Sequence, residues 1–242
     1  MAAPVVVLVE TSLAENLGGV ARVMANFGAR DLRLVAPGCA PDELRARRAA
    51  TSGEGVLAGA TVHADLDAAI GDCVEAWAAA APGRAVPKPV LGPRLFAERV
   101  VAGGGRVALV LGPERTGLRS AHLDRCTGLV VIPTEADARA LNLAQAAGVL
   151  LWEWRAAAQA SLQAPVAALP APAAAPLTAQ HAAVDHVVAA LLAVGWLQDP
   201  TLRQKAVRSL RAVALRAGLT TGELRALRGA VVALARRGPG TN

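Results

Sequence analysis

Tyrosine is absent from this chain, and only two Phe and four Trp are present. Aromatic platforms on which unpaired bases could stack are therefore almost unavailable, which excludes nucleic-acid recognition built mainly on stacking. Cysteine is scarce: Cys39, Cys73 and Cys126 are widely spaced and form no C-x-x-C pair, so neither a disulfide framework nor a zinc site is supported. No apolar run approaches the roughly 20 residues needed to span a bilayer. The N-terminus has no basic region ahead of a long apolar stretch, as a signal peptide would. These absences lead us to expect a reduced, cytoplasmic protein with no membrane partner and no bound metal. The segment "HAAVDH" has helical spacing, but its neighbours Asp185 and His186 splay apart and give His181 no third ligand. Two nucleotide signatures are missing as well. The stretch "ETSLAENLGGVAR" (10–22) follows an apolar run and carries a glycine pair, yet it lacks both G-x-G-x-x-G and the P-loop ending.

The chain does carry 54% hydrophobic and 18% charged residues over 242 positions, enough for one large domain or a medium one with an appendage. Much of the apolar content is alanine. "VVVLVE" (5–10) reads as a buried strand, "GGVARVMANFGA" (18–29) as a helix and "LRLVAP" (32–37) as the next strand, a βαβ unit with parallel strands. Further on, 61–65 suits a strand and 66–73 a short helix. "VEAWAAAA" (74–81) is ambiguous, since alanine favours helix while the context favours strand. "GRVALVLGPE" (105–114) and "GLVVIP" (128–133) are strands, and 141–159 is a long apolar helix. The sum is an α/β domain with a parallel sheet over residues 1–160.

Four prolines in 161–176 make that segment a semi-extended linker. Beyond it, 178–194, 201–217 and 220–237 are helical patterns, so 177–242 reads as a small helical extension. Residues 1–176 carry 16 Lys/Arg and 16 Asp/Glu, whereas 177–242 carry nine against three and hold the whole net charge of +6. A basic end on a neutral body suggests a polyanion gripped by the extension, with Lys205, Arg208 and Arg211 on one helical face. Charge alone fits a solvated helical face equally well.

Three segments, "NLGGVAR" (16–22), "LGPERTGL" (111–118) and "IPTEADARALNLAQA" (132–146), each follow an apolar strand. In a parallel sheet they converge at one carboxyl edge, where open α/β sheets bind ligands. In this order they resemble the three motifs of the SpoU/TrmH family of RNA ribose 2′-O-methyltransferases, in the SPOUT class. The N-terminal 33 residues from Val5 to Pro37 and the segment from "VGWLQDP" to "LRALRGAV" are similar to the TrmJ subgroup, which methylates the ribose at tRNA anticodon-loop position 32. The resemblance implies a deep trefoil α/β knot, S-adenosylmethionine as methyl donor, tRNA as substrate and a homodimer. Its rivals are another tRNA position, ribosomal RNA, or an RNA-binding protein on this fold that has lost catalysis.

The resemblance also implies roles. Arg22 matches the motif-one arginine; a guanidinium stays protonated, so binding the target's phosphate or polarising its 2′-oxygen suits it better than acting as a base. Asn16 would orient Arg22 or the RNA, or cap a helix, and Gly18 and Gly19 would form a turn permitting close backbone approach. Glu114 would hold its loop or pair with Arg22, and Glu10 would add a supporting hydrogen bond. Gly112 matches a backbone contact to the donor's adenosine half, and Ile132, Leu141 and Asn142 match a wall of that pocket, with Asn142 placed to cap a helix or touch the donor. Ala79, Ala80 and Ala81 would offer backbone groups to the adenine, and Arg84 would meet RNA. One departure stands out: Ala140 occupies the place of a serine common in motif three.

Overall fold

The computed structural model describes residues 3–82, 87–138, 140–163, 173–193, 195 and 199–236. Among these residues seven strands, β1 (Val5–Val9), β2 (Leu32–Val35), β3 (Thr61–His63), β4 (Glu75–Ala80), β5 (Val90–Leu91), β6 (Val107–Leu111) and β7 (Gly128–Val131), form one sheet in the order β3-β2-β1-β6-β4-β7-β5. Every pairing is parallel. A parallel sheet is covered on both faces, which is why its strands read as unbroken apolar runs.

Among the described residues ten helices follow in chain order: α1 (Ala14–Phe27), α2 (Leu44–Ala50), α3 (Glu54–Ala58), α4 (Leu66–Ile70), α5 (Pro93–Ala102), α6 (Ser120–Arg125), α7 (Leu143–Gln163), α8 (Leu177–Ala193), α9 (Pro200–Ala217) and α10 (Thr221–Arg236). A 3-10 turn, Thr51–Gly53, joins α2 to α3. Alternation along the strands sorts the core into two layers. Val6, Leu8, Leu34 and Leu109 pack with Leu17 of α1, Phe96 of α5 and Leu150 of α7. Val5, Val7, Val9 and Val110 pack on the other face with Ile70 of α4 and Leu123 of α6.

The alanine-rich segment 75–80 is a strand because it fills the gap between β6 and β7, where pairing on both sides overrides alanine's helical preference. The glycine pair is not a turn. Helix α1 begins at Ala14, so Gly18 and Gly19 lie inside it. Helical glycine costs about 1 kcal/mol against alanine. Here close packing requires it at Gly18, since a Cβ there would sit 2.1 Å from the Ala46 carbonyl oxygen of α2.

Helix α7 continues to Gln163, past the expected domain end at 160, and residues 164–172 of the expected linker lie outside the described residues. The extension is docked on the sheet's second face. Leu177 and Leu215 are buried in that layer, and the Leu177 N–H donates to the Cys73 carbonyl at 2.7 Å. Thr178 Oγ1 donates to the Gly71 carbonyl at 2.9 Å. Among themselves the extension's helices bury only a small cluster around Ala183 and Leu224. So small a core depends on the sheet beneath it.

Candidate functional site

A cavity of about 470 Å³ opens at the carboxyl edge, between the ends of β4, β6 and β7. That volume lies within the range of small-molecule sites. Of the residues singled out for the donor, Ala79, Ala80, Ala81, Gly112, Ile132, Ala140 and Leu141 line it. Asn142 does not. Its side chain turns to the start of α7, where Oδ1 accepts from the Ala144 N–H at 2.9 Å and the Gln145 N–H at 3.4 Å. The alanine wall is shallow, so backbone groups stay within reach of a ligand. Gly112 is sterically required: a Cβ would fall 2.5 Å from the Leu118 nitrogen, so the loop could not close over it. Arg115 and Thr134 also line the cavity, although the motif comparison gave neither a role.

Beside the cavity, one residue from each motif joins a single hydrogen-bonded chain. Asn142 Nδ2 donates to Asn16 Oδ1 at 2.8 Å, and Asn16 Nδ2 donates to Glu114 Oε1 at 2.9 Å. Ser12 completes it, its hydroxyl donating to Glu114 Oε2 at 3.4 Å, a partner missed in the sequence because serine in a loop carries no signal of its own. Partial burial pushes the Glu114 carboxyl up. The Asn16 amide and the nearby backbone N–H groups outweigh that, and the group sits below its ordinary value. The Glu114 carboxylate is thus bonded to Ser12 and Asn16, and its partner is Asn16 rather than Arg22. Glu10, with φ of 53°, pairs instead with Arg119.

Arg22 is exposed, six residues beyond Asn16 in α1, or about 9 Å along the helix axis. It does not line the cavity, and its guanidinium makes no ion pair among the described residues. Its backbone is fixed, however: a Cβ on Gly53 would sit 2.5 Å from the Arg22 nitrogen, so the 3-10 turn lies directly against it. Arg84 lies outside the described residues. The three cations expected on one face of the extension are divided. Lys205 is exposed, whereas Arg208 Nε lies 3.2 Å from Asp124 Oδ2 and Arg211 Nη2 lies 2.8 Å from Asp185 Oδ1. His181 faces Asp67 at 3.7 Å, and burial pushes its imidazole below the usual value. No cluster of three metal-ligating side chains occurs among the described residues.

A parallel sheet covered on both faces, with a cavity at its carboxyl edge lined by the second and third motif segments and bonded to the first, is the arrangement of a ligand-binding α/β enzyme. Its relatives in sequence and structure place it among the SPOUT-type methyltransferases. The chain belongs to the SpoU rRNA methylase family, whose profile matches residues 3–152. It is 35% identical over 241 residues to the tRNA (cytidine/uridine-2′-O-)-methyltransferase TrmJ of Klebsiella pneumoniae, covering 97% of both chains. Against the tRNA (cytidine/uridine/adenosine-2′-O-)-methyltransferase TrmJ of Pseudomonas aeruginosa the identity is 33%, covering 93% of this chain and 90% of that one. The crystal structure of TrmJ from Z. mobilis superimposes with a TM-score of 0.84 at 31% identity, over 96% of this chain and 99% of that chain.

Proposed function

We propose that this protein transfers the methyl group of S-adenosylmethionine to a tRNA ribose 2′-hydroxyl, at the pyrimidine of anticodon-loop position 32. The observation that carries this reading is the cavity lined by the second and third motif segments and tied to the first by the bonds among Asn16, Glu114 and Asn142. Similarity to TrmJ proteins runs through the helical extension as well as the sheet domain, which favours a tRNA substrate. The donor supplies an electrophilic methyl on a sulfonium. The chain's part is to seat it against the Ala79–Ala81 and Leu111–Leu118 walls and to bring the 2′-oxygen into line. Arg22, exposed and away from the cavity, suits a phosphate of the RNA or the 2′-oxygen rather than the donor. Strand β7 lies between β4 and β5 in the sheet, an order compatible with the trefoil knot. We infer a homodimer as well, a reading supported by the exposed apolar Val149 and Trp152 of α7.

Calorimetry with S-adenosylmethionine, followed by mapping of 2′-O-methylation in tRNA from cells with and without the protein, tests the reading. Loss of the mark at position 32 alone supports it, and loss elsewhere moves the target. Ala140 favours a second reading, RNA binding without turnover, which predicts donor binding but no lost methyl group.

A further inference from the structure

The connection between β4 and β5 starts as a wall of the cavity, at Ala79–Pro82, and ends in a strand of only two residues. So short an edge strand is a weak anchor. Two other contacts hold the end of the connection among the described residues. The Pro89 carbonyl accepts from the Leu129 N–H at 2.8 Å. Lys88 Nζ donates to the Asp124 carbonyl at 3.2 Å and also to the Cys126 carbonyl. Burial pushes the Lys88 ammonium below the usual lysine value, so its placement is costly and the two carbonyls must offset that cost. These carbonyls belong to the last turn and end of α6, where a helix leaves its acceptors without intrahelical partners.

Helix α6 begins at Ser120, directly after the Leu111–Leu118 loop that forms the facing wall. Lys88 thus ties the segment leaving one wall to the helix leaving the other. We propose that Lys88 is a positioning residue for donor binding, which fixes the spacing of the two cavity walls by fastening the residues that lead into β5 to the end of α6. The proposal rests on the reading that this cavity takes S-adenosylmethionine. A lysine that only stabilised α6 would change the melting temperature and leave the affinity of the folded protein for the donor untouched.

The test uses the full chain, with S-adenosylmethionine titrated by calorimetry well below the melting transition. Lys88→Met keeps the length of the side chain and removes its donors. It is expected to raise the donor Kd and KM about tenfold, with kcat at saturating donor within about twofold and tRNA affinity unchanged. Lys88→Arg, which can reach both carbonyls, is expected to restore most of the affinity. A folded Lys88→Met protein with wild-type donor affinity overturns the proposal. Where Lys88→Met does not fold, Lys88→Arg and Lys88→Gln decide: affinity falling in the order Lys, Arg, Gln supports it, and equal affinities overturn it. Failure of the wild-type protein to bind S-adenosylmethionine would instead remove the functional reading beneath it.

Discussion

Asn142 donates to Asn16 at 2.8 Å across a sequence separation of 126 residues, and the direction of that bond is fixed from both ends. At one end the Glu114 carboxylate can only accept, so it takes the amino group of Asn16. At the other end the α7 backbone N–H groups can only donate, so they take the carbonyl oxygen of Asn142. The middle bond has one orientation left. Each amide is therefore needed for both of its ends, and neither aspartate nor alanine can replace it.

Asn16→Asp puts a carboxylate where the amide now lies 2.9 Å from Glu114 Oε1. Two carboxylates so placed share a proton, which raises one of their pKa values. Donor affinity of Asn16→Asp is expected to be at least tenfold below wild type at pH 8 and to recover as the pH falls towards 5. Asn142→Asp keeps the α7 cap and loses the donor to Asn16, so it should weaken donor binding with little recovery. Calorimetric titration at several pH values separates them, and a flat profile for Asn16→Asp removes the relay argument.

For the wild type the sign is opposite. The Glu114 carboxyl is depressed on folding, so its contribution is complete above its ordinary value of 4.5 and is lost as pH falls through the lowered one. Donor affinity should be flat in this group from about pH 6 to 9 and should decline only below about pH 4. A decline centred near pH 6 would point to a different group.

Arg22 is exposed and without an ion pair among the described residues, so removing it should cost the fold little, within about 0.5 kcal/mol. Arg22→Ala is expected to keep donor affinity and to lose methyl transfer at least 100-fold. Ala140→Ser adds one hydroxyl at an exposed position of the cavity and should be tolerated or raise the rate. Near-normal turnover by Arg22→Ala sinks its role, and loss of donor binding by Ala140→Ser sinks the matching of motif three.

Strands β1, β2, β6 and β7 were legible because a doubly covered parallel sheet writes them as plain apolar runs, whereas alanine left β4 ambiguous and the two residues of β5 gave no run to read. Of the short helices only that at 66–70 was anticipated, as 66–73; those at 44–50, 54–58 and 120–125 have seven, five and six residues, too few to establish a period. The glycine pair misled for a physical reason. Glycine after a strand usually signals a turn, and only the approach of Ala46, 28 positions beyond Gly18, makes it helical here. The residues of the three motifs were legible by resemblance, but not their mutual bonds, which join distant strand ends. Likewise nothing local to α9 indicates that Asp124 of α6 neutralises Arg208.

Cys39, Cys73 and Cys126 are all buried. Burial pushes the thiols of Cys73 and Cys126 up to about 12, and that of Cys39 upward as well. Thiolate is the reactive form, so a disulfide reagent at pH 8 should find no rapidly reacting thiol in the native chain and three after denaturation. A fast-reacting thiol in the native protein would contradict this burial.

The extension's cations divide into two classes with different expected effects on tRNA. Arg208 and Arg211 are held by Asp124 and Asp185, so their first duty is to dock α9. Lys205, Arg216, Arg225 and Arg228 are exposed and make no ion pair among the described residues, which leaves them available to phosphates. Each phosphate neutralised releases counterions, so removing a phosphate contact lowers the dependence of log K on log salt by about one. Replacing the four exposed cations with Ala should weaken tRNA binding, flatten the salt slope by up to about four, and leave the melting temperature nearly unchanged. Arg208→Ala with Arg211→Ala should instead lower the melting temperature by a few degrees, with a smaller change of slope. Surface pairs contribute only about 0–1 kcal/mol each, which sets that scale. The reverse pattern, a slope lost with Arg208 and Arg211 and kept without the other four, would mean that tRNA phosphates displace Asp124 and Asp185 and lift α9 from the sheet domain. Filter-binding titrations across 50–300 mM salt, read beside thermal melts of the same proteins, distinguish the two.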